Sequence, residues 1–211
     1  MVNVSRQSHN AIVKWLWTVD KVTLFVSMAL LVIGIILDVT ASPAVARKLN
    51  LDDFALVRKQ MQFAVLALSI IFCLSLFSLK TIRRISIVGF GVLMLLLILT
   101  IFFGFETKGA RRWLHVLGFS LQASELMKPI FIVLTAWLLD CGKKYDYFPG
   151  TRLAILAYIL ILGVLLCQPD IGMSALITAV FGLQLFLAGM PWIIVGAGVI
   201  GSVMSLFILY F

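Results

Sequence analysis

The sequence predicts an all-α fold, a polytopic helical membrane protein with about seven transmembrane helices. Three observations carry that prediction. Of 211 residues, 63% are hydrophobic and 12% charged, against about 45–50% and about 25% in a soluble domain. The uninterrupted apolar runs approach the ~20 residues that a helix needs to cross ~30 Å of hydrocarbon. The charged residues fall mainly in the connections between those runs.

The elements follow in order. Residues 1–21 form a cytoplasmic N-terminal segment, and residues 22–211 form one transmembrane domain. The opening "MVNVSRQSHNAIVKWLWTVD" does not read as a cleaved signal peptide, because its apolar stretch is short, is broken by Lys14 and precedes no small-residue cleavage site. Trp15 and Trp17 suit the headgroup level, so this is a short interfacial segment before an uncleaved anchor. Spans are predicted at 22–41, 61–79, 85–105, 121–139, 153–169, 172–189 and 192–211. Two connections, 42–60 and 106–120, are long. "AGMPW" at 188–192 is a tight hairpin in which Pro191 opens the last helix. The chain stops inside the apolar run "SVMSLFILYF", so further sequence is expected to follow outside the membrane.

Orientation rests on Lys and Arg in the connections. With the N-terminus inside, Arg6, Lys14, Lys21, Lys80, Arg83, Arg84, Lys143, Lys144 and Arg152 lie inside, against eight cations outside, a near tie. The inner cations cluster tightly at span ends, as in "LKTIRR", and that favours N-inside. The net charge of +8, from 17 cations and 9 carboxylates, is scattered among connections. It points to a phospholipid surface and not to nucleic acid. Cys73, Cys141 and Cys167 show no metal-ligand spacing and read as free thiols.

Three motifs interrupt the apolar pattern, and all fall on the outer side. In "KGARRW", a helix would put Lys108, Arg111 and Arg112 on one face at i, i+3 and i+4. Cations so grouped suit a phosphate or diphosphate; alternatively they reach up to lipid headgroups while Trp113 joins the aromatic belt. In "QASELMKP", Glu125 and Lys128 lie three apart and, counted from Leu121, about 6–10 Å down a helix. They pair either to line a wet cavity or to stitch the helix to its neighbours. In "CQPDIG", Pro169 biases Gln168 away from helical geometry, and Asp170 caps the helix that follows. Broken backbone at that depth sits against protein or a water-filled cavity. A polar, outward-facing cavity of this kind suits a lipid-linked anionic substrate, for an enzyme or for a transporter.

In this order and spacing, "KGARRW", "QASELMKP" and "QPDIG" resemble the signature of the SEDS (shape, elongation, division and sporulation) family. "TASPAVA" at 40–46 resembles its division-type members more than its elongation-type members. Two positions depart from the common pattern: Ala123 stands where Pro is usual, and Met173 where Thr or Ser is usual. The resemblance implies the first part of a ten-helix fold in the bacterial cytoplasmic membrane, at the division septum. It implies a peptidoglycan glycosyltransferase that polymerises lipid II, with a class B penicillin-binding protein and other division membrane proteins as partners. Substrate contacts would come from Lys108, Arg111, Arg112, Glu125, Lys128, Gln168 and Asp170. The family's catalytic aspartate lies in a large outer loop beyond residue 211, so this chain alone is expected to be inactive. A divalent metal would suit the leaving diphosphate, though no ligand cluster marks one here. A lipid II flippase and a non-catalytic scaffold are the alternative readings.

Overall fold

The computed structural model describes residues 15, 19–48, 52, 54–107, 110–116, 119–193, 196–201 and 204. The chain separates into two compact units, Met1–Ser78 and Leu79–Phe211.

The first unit holds α1 (Lys21–Lys48) and α2 (Ala55–Ser75). Asp20 caps α1, accepting from the Val22 amide at 3.0 Å and from the Thr23 hydroxyl. Those hydrogen bonds hold its carboxyl below the usual carboxylate range. α1 continues through Pro43 to Lys48, so the predicted connection 42–60 is shorter than expected and partly helical. Pro43 forfeits one intrahelical bond, yet the helix continues past it, with Ser42 and Ala46 buried on either side. Hydroxyls on these spans bond back one turn, Ser27 to Thr23 O, Thr40 to Ile36 O and Ser69 to Val65 O, each at 2.8 Å. Trp15 donates its indole N–H to Ser75 Oγ at 2.6 Å and packs edge-on against Phe72. Trp17 lies outside the described residues.

The second unit holds α3 (Leu79–Phe103), a three-stranded antiparallel sheet, α4 (Ala123–Lys144), α5 (Gly150–Cys167) and α6 (Ile171–Leu187). α4 is central. Its Ala123, Ser124, Met127, Phe131, Leu134, Thr135, Leu138 and Leu139 are buried at helical spacing. Around them close Leu93 and Leu97 of α3, Ile161 and Leu165 of α5, and Ile177 and Phe181 of α6. Polar side chains join the helices. Thr135 donates to Gln184 Oε1 at 2.7 Å, Gln184 donates back to Ile132 O at 2.9 Å, and Tyr158 and Thr178 hydroxyls meet at 2.8 Å. The turn between α4 and α5 depends on glycine: a Cβ on Gly150 would lie 2.1 Å from Leu138 O.

Among the described residues, four helices are long and apolar enough to cross a membrane: Lys21–Pro43, Ala55–Ser75, Leu79–Phe103 and Gly150–Cys167. α6 is equally apolar at 17 residues. Large apolar side chains such as Phe102, Leu156, Ile159 and Phe186 are exposed, as lipid-facing positions require. Helical residues recur at 192–193 and 196–201, and the rest of the predicted last span lies outside the described residues.

The sheet departs from an all-helical expectation. β1 (Phe105–Thr107) pairs with β2 (Ala110–Val116), which pairs with β3 (Phe119–Leu121). Thr107 pairs with Ala110 and Val116 with Phe119, so each hairpin closes over two residues that lie outside the described ones. β-branched and aromatic residues suit strands, while Gly109 costs a helix about 1 kcal/mol. Pairing the strands also satisfies backbone groups at the bilayer boundary. With α3 to α6 joined in up-and-down order, the sheet and the helix termini at 103, 123, 167 and 171 share one end of the unit. The termini at 79, 144, 150 and 187 share the other.

Candidate functional site

The site is built at the sheet end, where α5 stops and α6 starts. α5 ends at Cys167, and Pro169 separates it from α6. Gln168 is 2% exposed and donates Nε2–H to Leu97 O at 2.8 Å, bracing this break against α3. Asp170 is 6% exposed; its Oδ1 accepts from the Met173 amide at 3.3 Å, the predicted N-cap. The Ser174 hydroxyl donates to Asp170 O at 2.8 Å.

Strand β2 brings Arg112 to this break. Its Nη1 lies 3.7 Å from Asp170 Oδ1, and its Nη2 donates to Pro169 O. The Arg112 side chain is 35% exposed and that of Asp170 8%, so the carboxylate is the member that depends on its partner. Among the described residues, Arg112 Nε, Asp170 Oδ2 and Ser124 Oγ are buried without a hydrogen-bond partner. Three spare polar atoms at the junction of sheet, α4 and the helix break are hydrogen-bonding capacity that a polar ligand or water can fill.

The helix expected to carry Arg111 and Arg112 on one face does not form. Arg111 and Arg112 are consecutive residues of strand β2 and not of a helix. Lys108 and the Arg111 side chain lie outside the described residues.

Glu125 and Lys128 form the expected i, i+3 ion pair at 2.7 Å. Their depth is smaller than expected. β3 takes Leu121, so α4 starts at Ala123, and the two sit about 3 and 8 Å along it. Their side chains are 56% and 26% exposed, so the pair lies at the rim and not in the interior. An exposed pair of this kind contributes about 0–1 kcal/mol to stability.

Sequence reasoning missed the Pro169 and Leu97 carbonyls as acceptors, and Ser124 as a buried hydroxyl. The helix break leaves the Pro169 carbonyl open, whereas Leu97 lies inside α3; nothing in the sequence says which side chain reaches either. Among the described residues, no three His, Cys, Asp or Glu side chains converge, so no protein ligand set for a divalent metal is assigned.

These features define a polytopic helical membrane protein with a charged, partly buried site at one end of its bundle. The cell cycle protein model of FtsW, RodA and SpoVE matches residues 20–211, and the chain belongs to that family. A probable peptidoglycan glycosyltransferase FtsW of Caulobacter vibrioides is 36% identical over 210 residues, 96% of this chain and 54% of that protein. One of Geobacter sulfurreducens is 33% identical over 199 residues, 91% of this chain and 52% of the relative. The chain thus spans about half the length of these relatives. Among solved structures, a variant of the Thermus thermophilus rod shape determining protein RodA superposes with TM-score 0.71 at 25% identity, covering 89% of this chain and 60% of that one. A chain from a study of polymerization and crosslinking by a peptidoglycan synthase complex gives 0.69 at 26% identity, covering 89% and 53%.

Proposed function

We propose that these residues are the substrate-holding part of an FtsW-type peptidoglycan glycosyltransferase, acting in the bacterial cytoplasmic membrane at the division septum. The observation that carries this reading is the Arg112–Asp170 pair beside the helix break, at the same end as the Glu125–Lys128 pair. The names of the relatives support the activity, and the synthase complex among the solved structures supports a class B penicillin-binding protein as partner.

The reaction is attack by a sugar 4-hydroxyl on the anomeric carbon that carries the lipid diphosphate. Departure of the diphosphate moves negative charge onto its oxygens, and preorganised cations stabilise that change. Arg112 is held in place by Asp170 and Pro169 O, so little ordering remains to be done when the diphosphate arrives. Asp170 spends Oδ1 on the α6 cap and on Arg112, which gives it a positioning role. The base is not assigned among these residues.

The test joins residues 1–211 to the C-terminal half of the Caulobacter relative and supplies a class B penicillin-binding protein and lipid II. Glycan strands are expected from this chimera, with none once the diphosphate of the donor is replaced by a monophosphate. Lipid II transport across vesicle bilayers without any glycan would instead favour the flippase reading.

A further inference from the structure

At the end of the second unit away from the sheet, a cavity of about 250 Å³ opens between α4 and the C-terminus of α6. Ala136, Leu139, Leu187 and Ala188 give it an apolar wall, and Asp140, Lys143 and Gln184 a polar mouth. α6 spans about 25 Å over its 17 residues, so the mouth lies at a bilayer boundary.

The charges at this mouth are unbalanced. Lys80, Arg83, Arg84, Lys143, Lys144 and Arg152 share this end with two carboxylates, Asp140 and Asp146. Asp140 is already committed: Lys144 donates to it at 2.8 Å. Among the described residues Lys143 makes no ion pair, and its Nζ lies 3.7 Å from where a Cβ on Gly189 would stand. That puts the ammonium just past the end of α6, where the last carbonyls favour a cation. Arg83 of α3 and Lys143 both act electrostatically on Asp140, so the cations at this end outnumber the carboxylate they share. Gln184, bonded to Thr135 and Ile132, closes the floor with its amide committed inward.

We propose that this cavity is a binding site for one anionic phospholipid of the surrounding bilayer. The phosphodiester sits at Lys143 in the mouth, and an acyl chain lies along Ala136, Leu139, Leu187 and Ala188. An apolar wall running from a cationic mouth into the hydrocarbon layer matches a lipid. A soluble phosphate would use the mouth alone. This inference does not rest on the proposed glycosyltransferase reading.

The test uses the full chain in detergent and native mass spectrometry, titrating phosphatidylglycerol against phosphatidylcholine. One phosphatidylglycerol should bind more tightly than phosphatidylcholine, and Lys143→Gln should weaken it about fivefold, the effect of ~1 kcal/mol per surface cation. Ala136→Phe, which narrows the apolar wall, should weaken it too. Lys21→Gln removes a cation outside the site and should leave binding unchanged. Equal loss in Lys21→Gln would mean diffuse surface charge and overturn the proposal. So would unchanged binding in Lys143→Gln, or equal affinity for glycerophosphoglycerol, which lacks the acyl chains.

Discussion

Replacing Arg112 by Gln is expected to destabilise the second unit by about 3–5 kcal/mol, the cost of leaving a buried carboxylate without its cation. Asp170 is 6% exposed and keeps only the Met173 amide when the guanidinium is gone. The reverse substitution should cost far less. Asn caps a helix about as well as Asp, and Arg112, 35% exposed, can turn to water. Asp170→Asn is therefore expected to cost about 1 kcal/mol, and the double variant should recover most of the loss from Arg112→Gln. Unfolding in detergent under graded denaturant measures all three. Equal costs for the two single variants, or additive costs in the double, would show that the pair does not hold the sheet to the helix break.

Gly150→Ala carries the second large effect. Its Cβ would meet Leu138 O at 2.1 Å, Gly142 N at 2.7 Å and Gly142 Cα at 2.9 Å, all backbone atoms that cannot rotate away. Overpacking costs typically 1–3 kcal/mol, and a clash with two rigid helix ends belongs at about 3 kcal/mol or above. Gly142→Ala meets its nearest atom, Thr151 N, at 3.0 Å and should cost less. Gly163 has nothing within 4 Å of a Cβ, so alanine there should be neutral or stabilise α5 by up to about 1 kcal/mol. Thermal unfolding of the three variants should follow that order. A Gly150→Ala protein as stable as the parent would mean that α4 and α5 do not meet at these glycines.

The helices were legible because hydropathy alone marks them: the first six predicted spans overlap α1 to α6 in order. Their ends were less legible. α1 passes Pro43 although proline removes one intrahelical bond, and a reading that ends helices near proline misses this. Glu125 and Lys128 were readable as a pair because i, i+3 spacing is a local property. So was the Asp170 cap, which Pro169 announces one residue ahead. The partnership of Arg112 with Asp170 spans 58 positions and has no periodic signature, so only the fold brings it out. The sheet went unread for a different reason. "KGARRW" has its cations at helical spacing, and that pattern masked the strand signals in Thr107, Trp113, Val116 and Phe119.

The central claim, that the sheet end of the bundle holds a lipid-linked diphosphate, is tested most directly by binding. The measurement is the affinity of the 211-residue chain in nanodiscs for undecaprenyl diphosphate, compared with Lys108→Gln, Arg111→Gln and Arg112→Lys variants. The last keeps a charge for Asp170 but loses the planar fork. Losing one charged hydrogen bond to the diphosphate costs about 1.5–3 kcal/mol, so about 10–150-fold weaker binding is predicted for the cations that contact it. An affinity unchanged in all three variants would contradict the account.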